Sequence, residues 1–231
     1  MPQLSGLPLQ PSHEAAEFLT TDSGPPLRIG AITHLSEVEG PGQRFAVWAQ
    51  GCSIRCDGCF NPHLWRPTGG TLTNPEDLAR QALDSGAEGV TLLGGEPFDQ
   101  AAGFAEFARA VRGGGLSVMT FTGHYIEDLC APGVPAAFAE LVAATDLLVD
   151  GPYLADQLDL SRPWLGSRNQ RFHFLTDRYE HLRQRLLALP DQLEVRVSTT
   201  GEIAINGWAN VAALDELLLD STTSVGRGTV R

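Results

Sequence analysis

The pattern of apolar and polar positions changes twice along the chain. From Leu27 to about residue 150, short apolar runs alternate with segments whose apolar residues recur every three or four positions. The short runs predict buried strands, and the longer repeat predicts amphipathic helices. The predicted strands are RIGAITHL, RFAVWAQ, GVTLLGG, LSVMTFTG and DLLVDG, and the predicted helices are LTNPEDLARQALDSG, FDQAAGFAEFARAVR and PAAFAELVAAT.

This alternation of strands and helices predicts parallel strand-helix-strand units, and hence an α/β fold. The sheet is expected to be either open and doubly wound or a partial (β/α) barrel. In both architectures, ligands bind at the carboxyl ends of the strands. Residues that directly follow a strand are therefore the first candidates for a functional site.

The two ends of the chain have a different pattern. Residues 1–26 are predicted to be an irregular lead-in, with a short helix at HEAAEFL. Residues 178–219 are predicted to form a small C-terminal α+β extension, in which QLEVRVSTTGEIAING is a hairpin between a helix over 178–189 and a short helix over 210–219. Residues 220–231 are predicted to be a mobile tail, which leaves 27–177 as the central domain.

Composition removes several classes of function. All 16 basic residues are arginine, which excludes a lysine Schiff base and a P-loop lysine. The net charge of −12 argues against nucleic acid as a partner. No window is apolar enough to predict a membrane span, and the amino terminus does not resemble a secretory signal, so a cytoplasmic location is expected.

Three cysteines lie close together in GCSIRCDGCFNP, at a C-x3-C-x2-C spacing. Cys52, Cys56 and Cys59 directly follow a predicted strand, and thiolates at this spacing suit zinc or an iron-sulfur cluster. One interpretation is a structural zinc site completed by His63. Zinc motifs usually bring pairs of ligands from two turns, whereas three cysteines would leave one iron of a cubane cluster open to a substrate or cosubstrate. The spacing alone favours the cluster and leaves zinc as an alternative.

A second group of residues follows the predicted strand GVTLLGG, where GGEP occupies residues 94–97. Gly94 and Gly95 would let a ligand approach the backbone, and Glu96 could pair with an ammonium group. The alternative is an ordinary turn in which Glu96 opens the next helix. Taken alone, this motif favours the alternative.

Together, the C-x3-C-x2-C and GGEP motifs resemble those of the radical S-adenosylmethionine (SAM) enzymes. The run VEGPGQRFAVWAQGCSIRCDGCFNPHLW is similar to the amino-terminal block of the proteins that activate glycyl radical enzymes. FTGHYIEDL, LLVDGPY and LGSRNQR more closely resemble the activating protein of anaerobic ribonucleoside-triphosphate reductase. The resemblance covers about residues 28–175, and the segment after about residue 178 exceeds that group's usual length.

The resemblance implies a partial (β/α) barrel of about five or six parallel strands. It implies a [4Fe-4S] cluster, SAM on the fourth iron, and reductive cleavage of SAM to generate a radical on a glycine of a partner enzyme. It also implies a low-potential electron donor such as flavodoxin or ferredoxin. The alternatives are a radical SAM enzyme that modifies another peptide or a small molecule such as a deazapurine, a zinc-binding module, and a simple iron-sulfur electron carrier.

The resemblance further implies roles for individual residues. The three cysteines match the cluster ligands, and Gly94, Gly95 and Glu96 match the element that receives the SAM amine. The loop around the last cysteine would face the adenine of SAM, and two strand ends and the GSRNQ segment would line the same cavity. These additional candidates are Gly58, Phe60, Thr122, Asp150, Arg168 and Asn169. Gly58 stands where many members of the superfamily have an aromatic residue.

Other reactive or charged side chains have simpler predicted roles. Cys130 is isolated in the sequence and is predicted to be a small buried or half-buried side chain. The arginines near the cysteines and near GSRNQ are predicted to be either solvated charges or ion-paired groups, or to form a docking face for an acidic electron donor or an anionic carboxylate. They are Arg44, Arg55, Arg66, Arg162, Arg168 and Arg171.

Overall fold

The computed structural model describes residues 24–159, 161–189, 192–197, 201 and 203–207. Seven strands form its main sheet: β1 (Leu27–Ser36), β2 (Arg44–Ala49), β3 (Thr71–Thr73), β4 (Gly89–Gly94), β5 (Ser117–Phe121), β6 (Leu147–Asp150) and β7 (Arg171–Phe174). Their order across the sheet is β3-β1-β2-β4-β5-β6-β7. The five strands predicted from apolar runs are all present, and the α/β class is confirmed.

Four of these strands, β2, β4, β5 and β6, run parallel in the centre of the sheet. β1 pairs in antiparallel fashion with β2 and β3, and β7 is antiparallel to β6. The prediction of five or six parallel strands is therefore wrong. The short EGPGQ loop makes β1 and β2 a hairpin, because a parallel pair needs a crossover of a dozen or more residues. Within the described residues the sheet is open, with β3 and β7 at its edges.

Helices connect the parallel strands. They are α1 (Pro75–Asp84), α2 (Ala101–Gly113), α3 (Ile126–Leu129) and α4 (Ala136–Ala143). α1 begins as its sequence predicts, because the Asn74 side chain caps the first turn and Pro75 is its first residue. Phe104 and Phe107 of α2 are fully buried in the main core, together with side chains of β2 and β4. Among the described residues, no helix combines the length and apolar character that crossing a membrane requires.

A second, smaller core includes side chains of β5 and β6 and the segment that follows β7. Met119 and Val149 pack there with Leu165, Tyr179 and Leu182. The single helix predicted over 178–189 is wrong, because the segment forms two 3-10 turns, Asp177–Leu182 and Leu186–Ala188. Tyr179 and Leu182 are three residues apart and both buried, a spacing that suits the three residues per turn of a 3-10 helix.

The predicted C-terminal hairpin is confirmed. β8 (Leu193–Val197) and β9 (Ile203–Gly207) pair in antiparallel fashion as a separate two-stranded sheet. Glu194 of β8 accepts a hydrogen bond from Ser36 Oγ at 2.8 Å, which ties the hairpin to β1. The predicted HEAAEFL helix, the helix over 210–219 and the tail lie outside the described residues. The domain boundaries near residues 26 and 177 stay predictions.

Candidate functional site

The three cysteines lie on the loop that follows the carboxyl end of β2. Two backbone hydrogen bonds close the base of this loop: Gly51 N–H donates to Leu64 O at 2.8 Å, and Cys52 N–H donates to Trp65 O at 3.2 Å. All three are free cysteines that are partly exposed. Residues 51–65, here called the cysteine loop, thus present three thiols at the edge where the parallel strands end.

Backbone amides and burial both act on these thiols. Arg55 N–H donates to Cys52 Sγ at 3.5 Å, and Asn61 N–H donates to Cys59 Sγ at 3.4 Å. Partial burial raises the pKa of the Cys52 and Cys56 thiols. Coordination by a metal has the opposite effect, because a coordinating thiol loses its proton outright.

Three thiols on one loop are a donor set that suits a four-iron cluster in which one iron has no protein ligand. No three histidine, cysteine, aspartate or glutamate side chains of the described residues converge on a point where one metal ion could bind. A single zinc ion needs such convergence. A four-iron cluster makes a different demand, because each thiolate binds its own iron. His63, the candidate fourth zinc ligand, is exposed. The fourth cysteine, Cys130, lies outside the cysteine loop at the end of α3, and the prediction that it is at least half-buried is wrong, because this position is exposed.

Gly94, Gly95 and Glu96 lie against the base of the cysteine loop. Gly95 N–H donates to Ala49 O, and Glu96 N–H donates to Gly51 O, both at 2.8 Å. A Cβ on Gly95 would lie 2.0 Å from Gly51 O, and Gly94 has a φ of 101°, which favours glycine. The two glycines therefore allow the end of β4 to approach the end of β2, whatever they contribute to ligand binding.

The Glu96 side chain is only 1% exposed. Its Oε1 accepts hydrogen bonds from Phe98 N–H and Thr122 Oγ, and its Oε2 accepts one from Gly123 N–H, all at 2.9 Å. Burial raises the pKa of this carboxyl to about 7, although the three hydrogen bonds oppose the shift. Glu96 also caps the 3-10 turn Pro97–Gln100, as the alternative interpretation of GGEP predicts. Its carboxylate thus holds together the carboxyl ends of β4 and β5.

Thr122 and Asp150 lie at the carboxyl ends of β5 and β6, and both are buried. Thr122 is bonded to Glu96, whereas Asp150 belongs to a separate network. Asp150 accepts hydrogen bonds from Arg171 Nε at 3.0 Å and from Ile126 N–H at 2.9 Å. The structure therefore brings Thr122 to the GGEP motif and ties Asp150 to β7 and α3.

Some of the remaining predicted residues are exposed, and others are held by packing or hydrogen bonds. Phe60 is 67% exposed, and its ring packs on that of Tyr153 with 5.3 Å between centroids. Gly58 lies beside the same segment, because a Cβ there would approach the Tyr153 ring at 3.5 Å. Asn169 Nδ2 donates to Pro152 O at 2.7 Å, whereas Arg168 is exposed. Tyr153, which the sequence interpretation missed, therefore joins the cysteine loop to the turn after β6.

Sequence reasoning also missed two side chains of the turn that Glu96 caps. Asp99 accepts two hydrogen bonds from Ser53 in the cysteine loop. Gln100 Oε1 accepts from Arg28 N–H at 2.6 Å, and its Nε2 donates to Gln50 O at 3.1 Å. The signal was present, since both polar residues directly follow GGEP. The segment GGEPFDQ as a whole thus connects four neighbouring parts of the fold.

The six arginines near the two motifs have different surroundings. Arg44 is fully buried at the amino end of β2, at the opposite end of this strand from the cysteine loop. Arg162 and Arg171 form ion pairs with aspartates. The three that remain exposed are Arg55, Arg66 and Arg168.

Comparisons with known proteins identify the family of the chain. A family model described as "4Fe-4S single cluster domain" matches residues 38–173. The anaerobic ribonucleoside-triphosphate reductase-activating proteins of Enterobacteria phage T4 and Escherichia coli K12 are each 29% identical to this chain. The alignments cover 61% and 60% of this chain, and 89% and 92% of those proteins.

Two further likenesses are less extensive. The pyruvate formate-lyase-activating enzyme of Listeria monocytogenes is 31% identical over 130 residues, which are 53% of this chain and 51% of that enzyme. The chain thus spans about half the length of that relative. The crystal structure of QueE from Escherichia coli aligns with a TM-score of 0.33 and 19% identity, over 43% of this chain and 52% of QueE. A likeness at that level does not define a fold.

The chain belongs to the 4Fe-4S single cluster domain family, since the match covers more than half of it. The resemblance to radical SAM enzymes of the glycyl-radical-enzyme activating type is confirmed, and the chain is an enzyme of that type. Its cofactors are a [4Fe-4S] cluster and SAM.

Proposed function

We propose that this enzyme generates the glycyl radical of an anaerobic ribonucleoside-triphosphate reductase. The observation that carries the proposal is the extent of the matches. The chain aligns with 89–92% of the reductase-activating proteins, but with only 51% of the pyruvate formate-lyase-activating enzyme. The identities, 29% and 31%, do not separate the two groups.

In the proposed site, Cys52, Cys56 and Cys59 hold the cluster and leave its fourth iron to SAM. When bound, the two cofactors supply reductive cleavage of SAM and hence a radical that can take hydrogen from a glycine. The chain contributes position and shielding. The backbone hydrogen bonds at the base of the cysteine loop and the amide donors to two sulfurs support this role.

Gly94, Gly95 and Glu96 are proposed to lie beside the methionine part of SAM. Because the Glu96 carboxylate already accepts three hydrogen bonds, we assign it the positioning of the Thr122 turn instead of a direct ion pair with the amine. Asp150 is proposed to act in the same indirect way, through the ends of β6 and β7.

The outer side of the site is proposed to be formed by the remaining candidates. Gly58 and Phe60 lie on the cysteine loop beside the last cluster ligand, where the adenine of SAM is expected. Asn169 fixes the GSRNQ segment through Pro152, which leaves the exposed side chain of Arg168 available to an anionic group. These assignments rest on the family resemblance together with the observed contacts.

Two partners are proposed to approach this edge of the sheet. The exposed Arg55, Arg66 and Arg168 would attract an acidic low-potential donor such as flavodoxin or ferredoxin. The reductase would bring its glycine to the open side of a partial barrel, which the open sheet of the described residues supports. The proposed setting is the cytoplasm.

The test is electron paramagnetic resonance of a mixture of reduced enzyme, SAM and purified reductase. The expected result is the doublet of a glycyl radical, because the radical forms on a carbon that carries one remaining hydrogen. A reductase whose radical glycine is replaced by alanine is the matched control and should give no doublet. Pyruvate formate-lyase in place of the reductase tests the partner.

Three outcomes would contradict the proposal at different levels. A doublet on pyruvate formate-lyase alone would keep the class and change the partner. Cleavage of SAM with no doublet on either competent partner would favour modification of another peptide or a small molecule. An intact cluster with no SAM cleavage would indicate a simple electron carrier.

A further inference from the structure

Residues 53–55, here called the first arm of the cysteine loop, form hydrogen bonds to Asp99 and pack on Gly123. Asp99 Oδ2 accepts a hydrogen bond from Ser53 N–H, and Asp99 Oδ1 accepts one from Ser53 Oγ, both at 2.7 Å. Ile54 packs on Gly123, where an added Cβ would lie 2.9 Å from Ile54 Cγ2. Asp99 is therefore the polar attachment of the arm that begins directly after Cys52.

Asp99 is close in sequence to Glu96, which contacts the base of the cysteine loop. Asp99 lies in the 3-10 turn that Glu96 caps, and the backbone of Glu96 is bonded to Gly51. One short turn thus holds the base of the cysteine loop through Glu96 and its first arm through Asp99. A shift of either contact would change the distance between the cysteines and the Gly94–Glu96 element.

We propose that Asp99 is a positioning residue that holds the cysteine loop at the distance from Gly94–Glu96 at which SAM can reach both the cluster and that element. The inference rests on the proposed assignment of Cys52, Cys56 and Cys59 as cluster ligands. Asp99 acts through Ser53 and does not itself touch a cluster ligand. The two carboxylate oxygens of Asp99 hold both the backbone and the side chain of Ser53, which a single hydrogen bond would not do.

The same contact acts on the electronic properties of the cluster. Reduction potentials of iron-sulfur clusters depend on the net charge nearby and on hydrogen bonds to the sulfurs. Asp99 places a carboxylate next to the residue after Cys52. This negative charge keeps the potential low, which reductive cleavage of SAM requires.

The test compares three variants of the reconstituted holoenzyme. Asp99→Asn keeps the size of the side chain and one acceptor oxygen but removes the charge and the second acceptor. Ser53→Ala removes the hydroxyl donor and keeps the N–H contact. Asp84→Asn, on the exposed end of α1, removes the same charge at a site away from the cysteine loop and is the matched control.

The measurements are the SAM dissociation constant by equilibrium binding, the midpoint potential of the cluster, and thermal unfolding of the cluster-free protein. We expect Asp99→Asn to weaken SAM binding about tenfold and to raise the midpoint potential. Ser53→Ala should produce a smaller change in the same direction. Asp84→Asn should leave both values unchanged. Since Asp99 and Ser53 are exposed, unfolding of the cluster-free protein should change little in any variant.

The inference is overturned if Asp99→Asn matches Asp84→Asn in both SAM affinity and midpoint potential. It is also overturned if Asp99→Asn lowers only the unfolding temperature, since that would indicate a purely structural contact. Cys52→Ala separates this result from a failure of the proposed site. If Cys52→Ala keeps its cluster, the cysteine assignment is wrong, whereas loss of the cluster with an unaltered Asp99→Asn rejects only the role of Asp99.

Discussion

Arg44 and Glu96 are both buried charged side chains, and they lie at opposite ends of the parallel strands. Arg44, at the amino end of β2, donates to Thr91 Oγ1 at 3.0 Å and to Ser117 Oγ and Tyr179 OH at 2.7 Å. Glu96, at the carboxyl end of β4, accepts from two backbone amides and one hydroxyl. Neither forms an ion pair among the described residues, so in each case neutral groups replace water around a charge.

The partners of the two charges explain why the ends of the sheet differ. Arg44 binds Thr91 of β4, Ser117 of β5 and Tyr179 of a 3-10 turn, and these contacts lie away from the end of the sheet that carries the cysteine loop. Glu96 binds turns next to the cysteine loop, so any change in its contacts reaches the site. Burial lowers the pKa of Arg44 and raises that of Glu96, which means that both charged forms are costly. The amino end is therefore expected to govern stability, and the carboxyl end both stability and SAM binding.

The largest effect is expected at Arg44. Arg44→Met should lower the free energy of unfolding of the cluster-free protein by about 3 kcal/mol, because it removes several hydrogen bonds from a charged donor in a buried position. SAM affinity of the folded fraction should not change. Denaturant unfolding and equilibrium binding measure the two quantities.

The control for this variant is Arg80→Met, which removes an exposed arginine of α1 that pairs with Asp77. Surface ion pairs contribute little, so its unfolding free energy should stay within about 0.5 kcal/mol of the parent. The comparison of the two ends breaks down if Arg44→Met is as stable as Arg80→Met, or if it weakens SAM binding at unchanged stability.

Glu96→Ala should change both quantities. It leaves Phe98 N–H, Gly123 N–H and the Thr122 hydroxyl without their acceptor, which should cost about 2 kcal/mol of unfolding free energy. SAM should bind more weakly, while iron analysis should find the cluster in place. Glu96→Gln keeps one acceptor oxygen and should lie between the parent and Glu96→Ala. A stable Glu96→Ala protein with normal SAM affinity would contradict the role given to this end of the sheet.

Glu39 is a second carboxyl group whose pKa is raised, and it can be compared with Glu96 through the dependence of stability on pH. Burial and the nearby Glu194 raise the pKa of Glu39 to about 7, although Arg196 and the Gly207 amide oppose the shift. Because the folded protein then binds more protons than the unfolded chain, the free energy of unfolding should fall as the pH rises from about 4.5 to about 7 and level off above that.

Glu39→Gln should flatten part of this slope, by about 1 kcal/mol across the window, and Glu96 should account for another part. Denaturant midpoints of the cluster-free protein at several pH values measure the slope. An unchanged slope in Glu39→Gln would show that Glu39 titrates normally in the folded protein.

The smallest effects are expected in the GSRNQ segment. Asn169→Ala loses the hydrogen bond to Pro152 O and should destabilise the protein by about 1 kcal/mol. Arg168→Ala should leave stability unchanged, because Arg168 is exposed, and should weaken SAM binding if Arg168 meets an anionic group of the ligand. Loss of stability in Arg168→Ala with normal binding would reverse these two roles.

The parallel core and the meeting of the cysteine and GGEP motifs at one edge of the sheet could be predicted because both depend on local pattern. Buried strands give continuous apolar runs, as in RFAVWAQ, and chemistry at their carboxyl ends follows from parallel topology. The direction of β1 was harder to predict, since the apolar pattern of RIGAITHL is the same whether the strand pairs in parallel or antiparallel fashion. Only the length of the EGPGQ loop carried that information.

The contacts of individual site residues could not be predicted, because they depend on partners distant in sequence. Glutamate is a residue type that commonly forms ion pairs, yet the carboxylate of Glu96 accepts hydrogen bonds from the uncharged Thr122 and Gly123. Arg44 lies eight residues before Cys52 in sequence, but β2 carries the two to opposite ends of the sheet. Asp99 lies just after GGEP in sequence, but its hydrogen bonds are to Ser53, which is distant in sequence and close only in the folded structure.

The most direct measurement of the central claim is the electron paramagnetic resonance spectrum of the reduced, reconstituted enzyme before and after addition of SAM. About four irons and four sulfides per chain should accompany a spectrum that changes on SAM binding, since one iron has no protein thiolate. Cys130→Ala should leave that behaviour intact, whereas Cys59→Ala should lose the cluster. A spectrum that saturating SAM does not alter, or a cluster lost in Cys130→Ala, would contradict the account.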